Sequence, residues 1–158
     1  MPHYSIDAFI ESLPEAAREQ AVQIHTLALE HGLTPEVKEA KSGFTVSYAT
    51  LKPKKTLAVF VQRKSGVKLR LYPRHLPQLV PFLQTLPPQM KEELQRASVC
   101  KRLINPDACN PKCPMGYAYI LDGQVQQKCR HMAFMLSVTP ETAPFILEFL
   151  IRDIRTPD

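Results

Sequence analysis

The chain has 158 residues, of which 44% are hydrophobic and 22% are charged, a balance typical of one globular domain. The longest uninterrupted apolar runs, such as 57–61 and 132–136, have five residues, whereas a membrane-spanning helix needs roughly 20. The N-terminus also lacks the basic and apolar regions of a secretory signal. The sequence therefore predicts a cytoplasmic protein with no membrane partner. In the reducing cytoplasm, lasting disulfides are uncommon.

The formal net charge of +5 is unevenly distributed along the chain. Residues 52–102 contain twelve Lys or Arg and two Glu, whereas the rest of the chain contains eight Lys or Arg and thirteen Asp or Glu. A basic segment of this kind attracts phosphate, an anionic small molecule or nucleic acid through its electric field. Solvent-exposed strand faces and turns have the same composition, so the charge alone does not identify a partner.

Two helices are predicted before residue 32. Residues 5–12 form a short helical segment, and Pro14 begins a longer helix that ends near His31, where Gly32 is a stop signal. Apolar residues in the longer helix recur at spacings of three and four, which predicts one buried face. These residues are Ala17, Ala21, Ile24, Leu27 and Ala28.

Three strands, 44–48, 56–62 and 67–71, are predicted next from alternating or continuous apolar residues. The turns between them, 52–55 and 63–66, are basic. Because successive turns of an antiparallel meander lie at opposite ends of the sheet, these two turns cannot form one surface. No known nucleic-acid-binding motif is present either, and both observations argue against nucleic acid as the partner.

The second half of the chain predicts helical segments broken by prolines, then a Cys-rich loop, a hairpin and a C-terminal helix. Asp122-Gly123 is typical of a two-residue hairpin turn, so 117–121 should pair with about 125–129. Residues 132–138 predict a further strand, and the last helix runs from Thr139 to about Arg155. The sequence thus predicts a single α+β domain over residues 1–158, in which an antiparallel sheet packs against N- and C-terminal helices.

The order of elements up to residue 72 resembles that of a known family, the small bacterial YdhG-like domains, which are uncharacterised. The matching motifs are LPEAAREQ at 13–20, FTVSYATL at 44–51, LAVFVQRK at 57–64 and LRLYP at 69–73. The resemblance implies a frataxin-like, two-layer architecture for residues 5–86. Residues 87–158, with a helix, the Cys-rich loop, the hairpin and the last helix, then form an addition to it.

A frataxin-like shape also implies iron handling, which has been proposed for some members of that family. Such a function needs a continuous acidic ridge. Here the acidic residues that recur every four positions are interrupted by Pro14, and the predicted sheet is basic. The acidic residues are Asp7, Glu11, Glu15 and Glu19. The resemblance is therefore taken to imply architecture and not iron delivery.

The four cysteines predict a metal site. Cys100, Cys109 and Cys113 lie in a turn-rich segment, and Cys129 follows the predicted hairpin. Zinc prefers thiolate and imidazole ligands, so four thiolates, or three thiolates with His131, would form a tetrahedral site that clips the loop to the hairpin. A disulfide, a reactive thiol beside Lys and Arg residues, and four reduced, buried thiols are the alternatives. A structural zinc site is the first functional hypothesis.

The second hypothesis is an anion or small-molecule site, in a binding domain or an enzyme, on the exposed face of strand 67–72. Lys68 and Arg70 alternate onto one face of this strand, and Arg74 follows Pro73. These three cations would hold a phosphate or a carboxylate. The sequence contains neither a glycine-rich phosphate loop nor a complete catalytic motif, so it defines no reaction.

Overall fold

The computed structural model describes residues 5–41, 43–51, 53–105, 107 and 115–157. In these ranges the helices are α1 (Ile6–Ser12), α2 (Glu15–Glu30), α3 (Leu76–Leu83), α4 (Pro88–Gln95), α5 (Lys101–Ile104) and α6 (Ala143–Arg155). The strands are β1 (Thr34–Ala40), β2 (Gly43–Ala49), β3 (Thr56–Arg63), β4 (Gly66–Leu71), β5 (Tyr117–Leu121), β6 (Gln124–Lys128) and β7 (Met135–Ser137). The predicted α+β class is confirmed. No helix within these ranges combines the length and the apolar content that crossing a membrane requires.

Five strands form an antiparallel sheet in the order β1-β2-β3-β4-β7, and β5 pairs with β6 in a separate hairpin. The predicted meander and hairpin are both confirmed. Asp122 and Gly123 have φ values of 50° and 79°, the positive pair that a tight two-residue hairpin turn needs. The sequence did not predict β1, because TPEVKEA contains a proline and three charged residues. An edge strand tolerates both, since part of its backbone has no partner in the ladder.

One face of the sheet is covered by α1 and α2 and forms the core. The ring of Phe9 on α1 lies 5.3 Å from that of Phe60 on β3, which lies 5.9 Å from the ring of Tyr48 on β2. The Tyr48 hydroxyl in turn lies 2.8 Å from Nδ1 of His25 on α2. Phe9, Phe60 and Tyr48 are fully buried. Burial of these large rings is the main contribution to the stability of this layer.

The opposite face of the sheet is covered by α4 only near β4 and β7. Glu93 on α4 accepts hydrogen bonds from Lys68 Nζ at 3.0 Å and from Ser137 Oγ at 2.7 Å. The same face of β1, β2 and β3 instead borders a large groove. The sheet therefore has one fully covered face and one that is partly open.

The β5–β6 hairpin packs beside α3 and is anchored to the end of α4 by a buried lysine. Lys128 Nζ donates to the carbonyl oxygens of Gln95 at 2.8 Å and Ala97 at 3.1 Å. These bonds satisfy carbonyls that a helix end leaves without a partner. β6 ends at Lys128, and the chain then turns and pairs with β4 through β7. This path brings the residues between β6 and β7 to the side of β4.

Candidate functional site

The open face of β1, β2 and β3 forms the floor of a groove of about 1270 Å³. The strand register places Glu36, Ser47 and Val59 in one row across these strands, and Arg70 of β4 continues the row. Alternate residues of a strand point to opposite faces, so these side chains point away from the core. Thr45 lies beside this row and also lines the groove. The floor therefore combines polar side chains with the apolar side chain of Val59.

One wall of the groove is the loop between β2 and β3. Thr50 fixes this loop, because its backbone N–H donates to Lys55 O at 2.9 Å and its Oγ1 accepts from Lys55 N at 3.1 Å. Lys54 and Lys55 line the groove from this loop. Glu36 lies 3.8 Å from Lys54 Nζ and 3.6 Å from Lys38 Nζ. All three side chains are exposed, so these ion pairs contribute little to stability.

The opposite wall begins where β4 ends, and a buried carboxylate on α6 holds it in place. Asp153, only 3% exposed, accepts the backbone N–H of Arg74 with oxygen distances of 3.0 and 3.1 Å. It also accepts the N–H of His75 at 2.8 Å. Buried polar groups need such partners, and these bonds fix the backbone of the turn. The turn in turn places Arg74 on the groove.

Residues near the hairpin complete this second wall. The Tyr72 hydroxyl lies 2.8 Å from His131 Nδ1, and Arg130 Nη1 donates to the Tyr117 hydroxyl at 3.0 Å. The Arg130 guanidinium also lies 4.7 Å from the centre of the Tyr117 ring, within range of a cation–π contact. Burial, together with the charges of Arg70 and Arg130, lowers the pKa of His131, so its imidazole is neutral at neutral pH. Burial raises the pKa of Tyr117 to about 12.

The groove has an excess of positive charge. Within the described part of the chain, its lining contains five Lys or Arg side chains and one carboxylate, Glu36. The cations are Lys38, Lys54, Lys55, Arg74 and Arg130. A concave surface with one sign of charge concentrates the field and raises the local concentration of oppositely charged ligands.

The structure divides the three residues that were predicted to hold an anion. Arg74 lines the groove, and Arg70 is near enough to His131 for its charge to lower the imidazole pKa. Lys68 instead forms an ion pair with Glu93 at 3.0 Å, and both side chains are mostly buried. The alternation that puts Lys68 and Arg70 on one face is confirmed, but α4 covers that face at Lys68. The cations that join Arg74 on the groove were not predicted to lie together: Lys38, Lys54, Lys55 and Arg130.

Two of the predicted metal ligands, Cys109 and Cys113, lie outside the described residues. Cys100 and Cys129 are free and flank a single β-bridge between the segment after α4 and β6. Each donates its backbone N–H across this bridge, at 2.9 Å from Cys100 and 2.8 Å from Cys129. Because alternate residues share a side of a ladder, the two thiols lie on the same side of it.

The backbone N–H groups of Gly116, Leu103 and Arg102 lie near the thiol of Cys100. Burial opposes ionisation of this thiol, but these N–H groups and the charge of Arg102 hold its pKa below the ordinary value. A Cβ at Gly116 would collide with the Lys128 carbonyl and with Cys100, so only glycine permits this approach. Among the residues that the structure describes, no three His, Cys, Asp or Glu side chains form a group that could hold a metal ion.

His131 was predicted as an alternative ligand on the assumption that β6 continues through Cys129 and His131. The strand ends at Lys128, and Met132 and Ala133 donate their backbone N–H groups to Cys129 O in a turn. The alternation that would align Cys129 with His131 is therefore not formed. His131 instead lines the groove and contacts Tyr72.

Comparison of the chain with models of protein families, with curated proteins and with solved structures finds no match. The YdhG-like resemblance and the frataxin-like architecture it implies stay predictions from the sequence.

Proposed function

We propose that this protein binds a small anionic ligand in the groove on the open face of its sheet. One observation carries the proposal: five Lys or Arg side chains from four separate parts of the chain line one concave surface, against a single carboxylate in the described lining. These cations come from β1, a loop, a turn and the segment after a hairpin. The fold brings them together, so their grouping does not follow from one basic stretch of sequence.

The size of the groove supports an organic ligand. Sites for small molecules usually have volumes of roughly 300–1,000 Å³, and this groove has about 1270 Å³. An inorganic ion would occupy a small part of that space. Guanidinium groups of Arg74 and Arg130 suit bidentate binding of a phosphate or carboxylate, whereas Lys54 and Lys55 supply point charges. The neutral His131 and the Tyr72 hydroxyl add uncharged polar groups on the wall.

The proposal is tested by following backbone amide signals by NMR while inorganic phosphate or a hexose monophosphate is added at constant ionic strength. Saturable shifts should concentrate on the groove, at residues 45–49, 54–56 and 72–77. The Lys54→Ala/Lys55→Ala variant should bind about tenfold more weakly, because two exposed charge contacts contribute up to roughly 1 kcal/mol each.

The matched control is Arg63→Ala/Lys64→Ala, which removes the same charge from the turn at the other end of β3. That strand has eight residues, so the two turns lie about 25 Å apart. The control should bind within about twofold of the parent protein, because the field of exposed charges is screened over about 10 Å. Shifts that do not saturate, or equal weakening by the two double variants, would rule out a specific anion site.

A second candidate function, a structural zinc clip, is favoured by the surroundings of Cys100. Several backbone N–H groups lie near its sulfur and, with the charge of Arg102, favour the thiolate, and Cys129 lies on the same side of the adjoining bridge. We propose that Cys100 and Cys129 bind zinc with Cys109 and Cys113, which would tie the loop to the hairpin and stabilise the fold.

Elemental analysis of untagged protein and a native thiol titration test this clip together. The expected result is about one zinc per chain and thiols that react only after chelation. Cys100→Ser and Cys129→Ser should each lose the metal, whereas His131→Gln should retain it, since His131 faces the groove. Less than about one metal per ten chains, with all thiols reacting freely, would exclude the clip.

A further inference from the structure

The cations of the groove form two clusters at opposite ends of its floor. The β1 cluster consists of Lys38 and Lys54 with the carboxylate Glu36, and Lys55 follows Lys54 in the same loop. The β4 cluster consists of Arg74 and Arg130, on the wall that follows β4. Counted over these described side chains, cations outnumber carboxylates in each cluster.

The strand register gives the distance between the two ends. Glu36 on β1 and Arg70 on β4 belong to one row that crosses β2 and β3. Neighbouring strands lie about 4.8 Å apart, so three spacings separate the ends by about 14 Å. Lys54 is 3.8 Å from Glu36, at the β1 end of this row. Arg74 follows the end of β4, where Asp153 accepts its backbone N–H, so Arg74 lies on the β4 side of the groove. A single phosphate contacts only one cluster.

The floor between the clusters carries hydroxyl groups. Thr45, Ser47 and Thr56 line this middle part, together with the apolar side chains of Ala49 and Val59. No charged side chain of the described lining belongs to this part of β2 and β3. Hydroxyl groups both donate and accept hydrogen bonds, so the middle of the groove matches a polar, uncharged segment of a ligand, and the ends match anionic groups.

We infer that the ligand has two phosphate-like groups joined by a hydroxyl-rich linker, as in a sugar bisphosphate, and lies across the strands from β1 to β4. The inference rests on the proposed anion-binding function and specifies its ligand class. Binding of one anionic group holds the second near the other cluster at high effective concentration. Affinity for the two-ended ligand should therefore exceed that for either half.

Calorimetric titration at constant ionic strength tests this inference with pyrophosphate, a hexose monophosphate and a hexose bisphosphate. The bisphosphate should bind at least about tenfold more tightly than the monophosphate, the gain expected from one added set of charge-assisted hydrogen bonds. Pyrophosphate should bind no more tightly than the monophosphate, because its two phosphates are too close to reach both clusters.

Variants at each end distinguish a ligand that contacts both clusters from attraction by the overall positive charge of the protein. Lys54→Ala/Lys55→Ala and Arg74→Gln should each remove the advantage of the bisphosphate, whereas the monophosphate should lose affinity only in Lys54→Ala/Lys55→Ala. Arg63→Ala/Lys64→Ala, outside the groove, should preserve the advantage. If Arg74→Gln lowers the melting temperature, Arg130→Gln provides a second variant at the same end.

The outcomes distinguish this inference from the function on which it rests. If the bisphosphate and the monophosphate bind with equal affinity, or if variants at only one end change the bisphosphate affinity, the inference of a ligand with two anionic ends is wrong. The proposed anion site then stands. If none of the three probes binds saturably, both are wrong. Tighter binding of a single-stranded oligonucleotide than of the bisphosphate would overturn the ligand class in favour of a nucleic-acid backbone.

Discussion

The two faces of the five-stranded sheet are built from alternate residues of the same strands, yet they differ in nearly every property. On the covered face, Val46, Tyr48 and Phe60 are fully buried beneath α1 and α2. On the open face, their neighbours Ser47 and Val59 line a groove with charged walls. Because a period of two separates the faces, this sheet can specify a core and a binding surface independently.

The largest loss of stability is expected when a side chain on the covered face is truncated. Phe60→Ala removes a ring that contacts both Phe9 and Tyr48 and leaves a cavity in a layer without access to water. The free energy of unfolding should fall by about 3–5 kcal/mol, which urea denaturation followed by circular dichroism would measure.

Shortening a valine to alanine on each face compares the contributions of the two faces to stability directly. Val46→Ala, on the covered face, should cost about 2 kcal/mol, whereas Val59→Ala, on the half-buried floor of the groove, should cost less than about 1 kcal/mol. Equal losses would show that the open face is also part of the core and would contradict the division of the sheet.

A similar effect on stability is expected where the groove depends on the core. Asp153→Ala leaves the buried N–H groups of Arg74 and His75 without their acceptor, and each such group costs about 1–3 kcal/mol. Unfolding free energy should fall by about 2–3 kcal/mol, and affinity for a hexose bisphosphate should also fall because the turn that carries Arg74 loosens. Glu148→Ala, an exposed ion-pair change on the same helix, should do neither. Unchanged bisphosphate affinity in Asp153→Ala would show that this turn does not position Arg74.

Most of the covered face was predictable because its information is local. Alternation identified β2, β3 and β4, and Asp122-Gly123 identified the hairpin, since each pattern lies within a few consecutive residues. β1 was missed because its only inward aliphatic residue near the middle is Val37, among charged neighbours. As the edge strand, it needs less apolar surface than a central one.

The groove was not predictable because its residues are distant in the sequence. Arg74 was singled out beside Lys68, but only the position of α4 shows that Lys68 is held by Glu93. The basic turn with Lys54 was noted, yet its place on one groove with Arg130 depends on how the hairpin docks and returns to β4. Such placements follow from tertiary packing, which leaves no periodic signal.

A smaller effect is expected where α4 covers part of the open face. Burial alone would raise the pKa of Glu93, but hydrogen bonds from Ser137 and Lys68 and the charge of Lys68 hold it below the ordinary value of 4.5. The ionised form therefore stabilises the fold above pH 4.5, and this contribution is lost as the pH falls through the lower pKa of the folded protein. Glu93→Gln should be about 1–2 kcal/mol less stable at pH 7.

The pH dependence separates this ion pair from simple packing. Urea denaturation at several pH values should show that the stability difference between the parent protein and Glu93→Gln is constant from pH 7 to about 5 and then narrows in acid. A difference that stays constant into acid would mean that the charge of Glu93 contributes nothing at this site.

The smallest change in stability, with a gain in binding, is expected at Glu36 on the groove floor. Its ion pairs with Lys38 and Lys54 are exposed, so Glu36→Gln should alter the unfolding free energy by less than about 0.5 kcal/mol. A carboxylate about 7 Å from a bound anion costs about 0.6 kcal/mol in water, so its removal should raise phosphate affinity about two- to threefold. Glu19→Gln, on an exposed position of α2 across the sheet, removes the same charge and should leave the affinity unchanged. Equal gains from both variants would attribute the effect to net charge, whereas a gain confined to Glu36→Gln would place the bound anion on the open face.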